Sequence, residues 1–296
     1  MKKIVVIGSL NMDAVAHADH TPAEGETIMA DFSGYFPGGK GANQACAIGK
    51  LGGEVCMLGA VGCDDAGEAL IKSLQRFGVD TSCLKHCEDT VTGQAWITVN
   101  AKGNNSIVVL PGANARVDRA YIDSVRAAIE AADAVVMQLE IPVDTVCYAA
   151  KLAKEMGKPV VLDPAPARAD LPEELLACAD YIKPNETELA LLTGCSPAEY
   201  EKGARILLEK GVKNVVVSLG EKGVYCLTEK ESFLSPARKV KAVDTTAAGD
   251  SFLASFTLAL VQGQALREAI DFAQRVAAIV VTRPGAQDSI PGPEEL

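Results

Sequence analysis

Short β-branched runs alternate with helical patterns along most of the chain. The runs include "KIVVIGSLN", "EVCMLGAVG", "DAVVMQLE", "PVVLDPAPA" and "NVVVSLGEKG", and helix-forming segments separate them. Strands that alternate with helices predict βαβ units and a mostly parallel sheet that is covered on both faces. A chain of 296 residues suits one or two domains, and α/β folds of this size often form one. We therefore expect a single α/β domain over residues 1–296.

Composition narrows the partners and the compartment. The net charge of -11 argues against a nucleic-acid or anionic-membrane partner. No apolar run approaches transmembrane length, and "MKKIVVIGSL" predicts a first strand rather than a signal peptide. The nine scattered cysteines indicate reduced thiols in a cytoplasm. Cys83, His86 and Cys87 lie close together in the sequence, but no second pair at zinc-finger spacing supports a metal site.

Two segments interrupt the alternation. Residues 14–38 and about 92–112 are predicted to be extended, with turn residues between them. In the second segment Ala95, Ile97 and Val99 alternate with Trp96 and Thr98, the period of a half-buried sheet. We expect a small antiparallel sheet that projects from the main body; the alternative is a pair of extra strands at the edge of the main sheet.

Polar residues follow several predicted strands. In an open parallel sheet, ligands bind outside the carboxyl ends of the strands. Such residues are common in any loop, but a row of them at one edge favours a binding site. The row comprises Asn11, Asp13, Glu140, Asp163, Asn185, Gly220 and Gly223.

The segment "GYFPGGKG" (34–41) is similar to a phosphate-binding P-loop, but it fails the test. Gly41 stands where a Ser or Thr must hold magnesium, and the segment does not follow a clear parallel strand. Its glycines predict close approach of the backbone to a small ligand, with Lys40 and Asn43 as hydrogen-bonding groups.

The segment "DTTAAGDSF" (244–252) opens an uncharged helix. A helix N-terminus binds anions, and the small residues Ala247, Ala248 and Gly249 leave its N–H groups accessible. These groups predict a binding site for a transferring phosphoryl group, with Asp250 as the acceptor of a hydroxyl proton. The alternative is that Asp250 only caps the helix.

At these residues the sequence resembles the ribokinase family, the phosphofructokinase-B type of sugar and nucleoside kinases. The resemblance covers essentially the whole chain and rests on nine motifs in the family's order. They are "GSLNMD", "GGKGANQA", "PGAN", "QLE", "DPAPAR", "KPNETE", "SLGEKGV", "DTTAAGDSF" and "RPGAQDS". The resemblance implies a doubly wound α/β fold with a small β-sheet lid, which is often shared across a homodimer.

The resemblance also implies the site residues. Asp250 would take the proton from the 5-hydroxyl of the sugar, and the backbone of 247–250 would form the anion hole. The residues implied to hold the sugar are Asn11, Met12, Asp13, Gly39, Lys40, Gly41, Ala42, Asn43, Glu140 and Asp250. The residues implied to hold ATP are Asn185, Ser218, Leu219, Gly220, Glu221, Lys222, Gly223, Gly249 and Gln274.

Two metal ions are implied in the same way. Glu188 would act on Mg²⁺ through water. K⁺ would lie beside the anion hole, held mostly by backbone carbonyls, at Asp244, Thr246, Val280, Arg283, Gly285 and Ser289. The sequence departs from the family pattern at three places. On the adenine side, Gln274 replaces His or Asn. In the lid, "AKGNNS" replaces the usual turn, and around Asp163 "DPAPAR" replaces "NPAPAR".

Three functions remain open at this point. The first is ATP-dependent phosphorylation of the 5-hydroxyl of D-ribose. The second is a related kinase that acts on another pentose, such as 2-deoxyribose, or on a nucleoside; the aromatic content of 5% disfavours a nucleobase pocket. The third is an inactive sugar-binding regulator, which the presence of Asp250, Gly249 and Glu188 disfavours.

Overall fold

The computed structural model describes residues 2–296 and contains three sheets. Fourteen strands form them: β1 Lys3–Ile7, β2 Asn11–Ala18, β3 Asp31–Gly38, β4 Glu54–Leu58, β5 Ala60–Gly62, β6 Lys85–Cys87, β7 Gly93–Asn100, β8 Asn105–Leu110, β9 Ala134–Met137, β10 Val160–Leu162, β11 Tyr181–Ile182, β12 Asn214–Ser218, β13 Val224–Thr228 and β14 Ser232–Ser235.

Ten α-helices connect the strands in the described residues. They are α1 Lys40–Lys50, α2 Asp65–Arg76, α3 Arg119–Ser124, α4 Arg126–Glu130, α5 Val143–Glu155, α6 Glu173–Cys178, α7 Glu186–Thr193, α8 Tyr200–Glu209, α9 Ala248–Val261 and α10 Leu266–Val280. Within this part of the chain, every helix falls short of the length and apolar character that a membrane crossing requires.

The main sheet has eight strands in the order β14-β13-β12-β11-β10-β9-β1-β4. From β4 to β12 all neighbours are parallel, and β13 and β14 are antiparallel additions at one edge. The connections place helices on both faces, as the alternation of strand and helix patterns predicts. The α/β fold class expected from the sequence is confirmed.

The two faces of the sheet bury separate apolar layers. Ile4 and Val6 of β1 pack in one layer with side chains of α1, α2, α9 and α10. Val5 and Ile7 pack in the other layer with side chains of α5, α6, α7 and α8. The alternation within β1 follows from the period of two in a strand, and both sets are apolar because both faces are covered.

The lid is a four-stranded sheet in the order β3-β2-β7-β8. The two sequence segments expected to form it supply all four strands, but the expected antiparallel arrangement is wrong in one respect. β2 and β7 pair in parallel, whereas β2 with β3 and β7 with β8 are antiparallel hairpins. Two hairpins that enter from the same edge of the main body run their first strands in the same direction, which makes that central pair parallel.

The lid joins the main sheet at the carboxyl end of β1. Asn11 pairs with Gly38 of β3 and with Gly93 of β7, so both hairpins are anchored beside one residue. The carboxyl ends of the parallel strands follow across the sheet from β1 to β12. The lid therefore stands over the edge where polar residues were expected to gather.

Candidate active site

The first turn of α1 lies against the end of β1, and glycine makes this approach possible. Gly39 has a φ of 89°, and a Cβ added to it would lie 2.7 Å from the backbone nitrogen of Asn11. A Cβ on Gly41 would lie 2.6 Å from the backbone nitrogen of Ser9. The sequence predicts that these glycines allow close approach of a ligand. In the structure their nearest neighbour is the chain's own backbone, which excludes a larger residue.

Glu140 follows β9 and holds the start of α1. Its Oε2 accepts hydrogen bonds from Ser9 Oγ at 2.5 Å and from the backbone nitrogen of Lys40 at 3.0 Å. Both bonds use one carboxylate oxygen, so Oε1 is left for a ligand. The carboxylate is thereby fixed at the carboxyl edge of the sheet.

Asn11 is buried at the base of the lid, with 2% of its surface exposed. Its Oδ1 accepts a hydrogen bond of 2.8 Å from Asn114 Nδ2, and Asn114 also bonds both backbone polar groups of Leu10. This fixes the amide orientation and directs Asn11 to act as a donor. Met12 and Ala42, also expected at the sugar, have side chains in the apolar core, so only their backbone could serve a ligand.

Asp250 lies in the first turn of α9 but does not cap it. The N-cap position is Ala247 and no side chain caps this helix, so the capping interpretation of Asp250 is wrong. Its carboxylate instead accepts hydrogen bonds from Asn43 Nδ2 at 3.0 Å and from Gln44 Nε2 at 3.1 Å. Two side chains of α1 therefore orient the carboxylate, which is 6% exposed.

Charges are concentrated around this carboxylate. Burial, reinforced by the charges of Glu140 and Asp250, raises the pKa of Asp13 to about 7. For Lys40, burial alone would lower the pKa, but the carboxylates of Asp250, Asp163 and Glu140 outweigh it and raise the pKa of the ammonium. Carboxylates, amides and the Lys40 ammonium together suit a ligand rich in hydroxyl groups.

The N-terminus of α9 presents open backbone donors. Ala247, with a φ of 58°, is the one non-glycine residue at positive φ in residues 2–296, a conformation that costs about 1–2 kcal/mol. The N–H of Ala248 donates to Thr245 O at 3.2 Å, whereas the N–H groups of Gly249 and Asp250 have no acceptor in the described chain. The expected anion hole therefore keeps those two open, and Ala248 is not a free donor. Backbone strain at such a turn is typical of functional sites.

Asn185 and Glu188 bind each other at the start of α7. The Asn185 side chain accepts from the Glu188 backbone nitrogen, and Glu188 Oε2 accepts from the Asn185 backbone nitrogen, both at 2.8 Å. This capping box explains the Asn-x-x-Glu spacing in structural terms. The pair still lies at the carboxyl end of β11, where Asn185 forms a bridge to Ser218. Glu188 Oε1 remains available.

The other residues expected at the nucleotide lie together beside this pair. The loop 218–223 turns tightly, with Gly220 at a φ of 54° and Gly223 at 104°. A Cβ on Gly223 would lie 2.1 Å from Ser235 O, so only glycine fits there. Gln274 of α10 donates to the side chain of the same Ser235 at 2.7 Å. The exposed Glu221, Lys222 and the buried Leu219 belong to this loop.

The two segments expected to hold potassium are neighbours. Asp244 Oδ2 accepts from the Gly285 backbone nitrogen at 2.9 Å, and Oδ1 accepts from the nitrogen and the hydroxyl of Thr246 at 2.9 and 2.6 Å. Partial burial opposes ionisation, but these hydrogen bonds outweigh it and lower the pKa of Asp244. Since a carboxylate offers about four lone-pair positions, one remains.

The rest of this set can contribute mainly backbone oxygens. The Val280 side chain is buried, Arg283 pairs with Glu295, and Ser289 Oγ donates to Ala286 O at 2.7 Å. Carboxylate and carbonyl oxygens suit a hard cation. Among residues 2–296, no three His, Cys, Asp or Glu side chains are grouped closely enough to hold a metal ion by themselves.

A buried polar layer that the sequence patterns did not predict lies beneath these groups. Gln44 Nε2 also donates to Asp163 Oδ2 at 2.9 Å, and Gln138 Nε2 donates to Gln44 Oε1 at 2.6 Å. Lys183 Nζ lies 3.7 Å from Asp163 Oδ1. Burial raises the pKa of Asp163, although Lys183 and Lys40 oppose the shift. Asp163 was noted in the row of polar residues, but Gln44 and Lys183 carried no sequence signal beyond their position next to predicted site residues.

These features define the class of protein. Groups suited to a hydroxyl-rich ligand lie next to a carboxylate, and the carboxylate adjoins a helix N-terminus with open N–H donors. A tight glycine loop and the Asn185–Glu188 pair follow along the same edge. This arrangement is that of an α/β small-molecule phosphotransferase, in which positioning and charge stabilisation carry catalysis.

Comparison with known proteins agrees with that class. The family model of pfkB family carbohydrate kinases matches residues 1–293. The chain is 39% identical over 297 residues to a ribokinase of Haemophilus influenzae, covering 99% of this chain and 97% of that protein. It is 38% identical over 296 residues to a deoxyribokinase of Salmonella typhi, covering 99% and 97%.

The fold comparison points the same way. The structure of Arabidopsis thaliana ribokinase complexed with ribose and ATP superimposes with a TM-score of 0.93 at 34% identity, covering 99% of this chain and 97% of that one. The chain belongs to the pfkB family of carbohydrate kinases. The resemblance stated from the sequence motifs is confirmed.

Proposed function

We propose that this carbohydrate kinase transfers the γ-phosphoryl group of ATP to the 5-hydroxyl of D-ribose, giving D-ribose 5-phosphate. The observation that carries the proposal is the contact of Asp250 with Asn43 beside the N-terminus of α9. It joins a sugar-binding side chain, a proton acceptor and an anion site within one group of residues. The ribokinases among the relatives support ribose as the substrate.

The sugar is held by the hydrogen-bonding groups at the base of the lid. Asn11 donates through its free amide hydrogens, because Asn114 occupies its oxygen. Asp13 and Glu140 accept from sugar hydroxyls, and Lys40 and Asn43 complete the set. A site built from such groups rejects analogues that lack the matching hydroxyl, because its buried polar groups are then unpaired.

Asp250 accepts the proton of the 5-hydroxyl while that oxygen attacks the γ-phosphorus. The bond between the γ-phosphorus and the β–γ bridging oxygen breaks, and ADP leaves. The open N–H groups of Gly249 and Asp250 stabilise the charge on the transferring group. Because the transition state is loose, proton removal comes late, and good placement matters more than basicity.

ATP lies along the other half of the edge, against Asn185, the loop 218–223 and Gln274. Mg²⁺ on the phosphates would neutralise their charge, and Glu188 Oε1 is the side-chain oxygen that would be available to its water shell. Asp244 and the carbonyls of 280–289 would hold K⁺, which would supply positive charge beside the anion hole. The donor chemistry of both sets fits oxygen-preferring cations.

The lid closes over the sugar and also carries a homodimer contact. Residues 1–296 act as one domain with the lid as its projection.

All nine cysteines lie in the described residues and are free thiols, which supports a reducing, cytoplasmic compartment.

A second candidate is phosphorylation of 2-deoxyribose, because one relative of similar identity is a deoxyribokinase. The purified protein should be assayed for ATP consumption with ribose, 2-deoxyribose, other pentoses, hexoses and nucleosides. We expect the highest kcat/KM with ribose. A higher value for 2-deoxyribose or a nucleoside would replace the proposal by that alternative, and no turnover with any sugar would indicate a binding protein.

A further inference from the structure

Lys183 is a buried cation at the carboxyl edge of the main sheet. No step of the proposed reaction uses it. It follows β11 directly, two residues before Asn185, and its exposure is 5%. Its backbone nitrogen is held by Leu162 O at 3.0 Å. The side chain therefore starts between the nucleotide half of the edge and Asp163, which directly follows β10.

The Lys183 ammonium lacks a full-strength partner. Within residues 2–296 its nearest acceptors are Gly249 O at 3.5 Å and Asp163 Oδ1 at 3.7 Å. Ordinary N–H···O bonds measure about 2.7–3.2 Å, and an ammonium has three donors to place. Asp163 Oδ1 is likewise buried without a hydrogen-bond partner in the described chain. A buried charge with two long contacts is prepared for an additional acceptor.

The ammonium also lies against the first turn of α9. A Cβ added to Gly249 would lie 3.1 Å from Lys183 Nζ. Nζ therefore lies beside Gly249, and the backbone N–H groups of Gly249 and Asp250 in the same turn have no acceptor in the described chain. Glycine at position 249 thus leaves room for the lysine head group next to those donors.

We propose that Lys183 binds the non-bridging oxygens of the terminal phosphates of ATP during transfer, and is a further catalytic residue of this site. The inference rests on the proposed kinase function and extends it to a residue that received no role there. The helix N-terminus supplies neutral donors, and Lys183 supplies a full positive charge in a place sheltered from water. Charge stabilisation at that point lowers the barrier for the phosphoryl transfer described above.

The competing explanation is that Lys183 only neutralises Asp163. A double-mutant cycle separates the two, with Lys183→Met, Asp163→Asn and the double variant compared with wild type. If Lys183 contacts phosphate, its removal should lower kcat/KM for ATP by about 10²-fold or more in both the wild-type and the Asp163→Asn backgrounds. If it is only a counter-ion, its removal should have little effect once Asp163 is neutral, and that result would overturn the proposal.

The double variant also protects the test against misfolding, since it leaves no unpaired charge in the core. Lys154→Met is the matched control, because Lys154 is paired with Asp180 at the amino end of β11, opposite the carboxyl end that carries the site; its kcat/KM should stay near wild type.

Equilibrium binding of AMP-PNP and of AMP gives a second readout that is independent of turnover. Lys183→Met should weaken AMP-PNP and leave AMP unchanged; equal effects on both, or none on either, would contradict the proposal. Absence of wild-type turnover with any sugar would refute the proposed function and leave this binding comparison valid.

Discussion

Gln44 donates the same carboxamide nitrogen to Asp250 Oδ1 at 3.1 Å and to Asp163 Oδ2 at 2.9 Å, and so ties α1 to two buried carboxylates. The orientation of that carboxamide is itself fixed, because Gln138 donates to its oxygen. With Asn43 on the other carboxylate oxygen, Asp250 is held by two amides. The carboxylate assigned as the base is thus oriented by α1 rather than by its own helix.

Asp250→Asn tests the base directly. Asparagine keeps the size but cannot take the proton, and loss of a positioned general base costs on the order of 10²–10⁴ in rate. We expect kcat to fall by that factor, with a small change in sugar KM. The NH₂ group of the new asparagine would face one of the two amide donors that bind the carboxylate, so the melting temperature should be measured in parallel. Asp118→Asn, at the N-cap of α3, is the control with an unchanged kcat. A near-normal kcat for Asp250→Asn would reassign the base.

Gln44→Met tests positioning. The substitution preserves the length of the side chain and removes both N–H donors of the Gln44 carboxamide. Two buried carboxylate oxygens then lack a partner, at a cost of about 1–3 kcal/mol. We expect a lower kcat with little change in sugar KM. In an Asp250→Asn background the same change should add almost nothing to the loss of kcat, because the two residues act as one unit. Gln75→Met on the exposed face of α2 is the control. Full additivity would show that Gln44 acts only on stability.

Sequence patterns fixed the large features and missed the buried polar layer, for physical reasons. Strand and helix periodicity predicts the layers, and the carboxyl-edge rule gathers Asn11, Glu140 and Asn185. The parallel pairing of β2 with β7 depends on how two hairpins meet, which no local pattern encodes. Gln44 and Lys183 become visible only when α1, β11 and α9 pack, because their partners are 119 and 66 residues away along the chain.

The lid shows the same limit of local sequence patterns. Ile97 and Val99 are half-buried, as the alternation predicts, and larger exposed apolar side chains lie on the opposite face. Tyr35, Ala14, Trp96 and Val108 are consecutive cross-strand neighbours there, with Tyr35 68% and Trp96 54% exposed. Register, which the sequence did not reveal, sets this row.

Trp96→Lys tests the homodimer. An exposed apolar row across four strands favours a protein partner, and a charge in its centre opposes burial. We expect wild type to be dimeric at micromolar concentration by light scattering and Trp96→Lys to shift toward monomer. Leu191→Lys, at an exposed leucine of α7 outside the lid, should leave the dimer intact. A monomeric wild type with full activity would contradict the dimer.

Monovalent cation dependence tests the loop at Asp244. Activity should fall several-fold when K⁺ is replaced by tetramethylammonium, because that ion is too large to be coordinated by carbonyl and carboxylate oxygens. Asp244→Asn should reduce the response to added K⁺, since the charge that attracts the cation is gone. Thr228→Ala, in a surface turn with its own hydrogen bonds, provides a control. Equal rates in the two salts would exclude a potassium requirement.

Asp13 makes the stability of the ligand-free protein depend on pH. Its pKa is raised from 3.8 to about 7, by burial first and then by Glu140 and Asp250. Between these two values the folded state binds more protons than the unfolded state, so stability falls as pH rises through that window. Above about 7 the ionised carboxylate opposes folding in full. Asp13→Asn removes the ionisation, so it should raise the melting temperature at pH 8 and change it little at pH 4.

The measurement is a pair of thermal unfolding curves at the two pH values for wild type and variant, without sugar. Asp19→Asn is the control, because Asp19 is exposed and directly follows the outer end of β2. It should give no pH-dependent gain in melting temperature. Asp13→Asn should also lose sugar affinity, because an amide cannot replace the carboxylate as an acceptor of two hydroxyl donors. Higher stability at pH 8 together with weaker sugar binding is the pattern of a residue kept for its ligand at the expense of the fold. An Asp13→Asn variant with the same pH profile as wild type would show that Asp13 is ionised without strain, and its assignment to the pocket's charge cluster would have to be withdrawn.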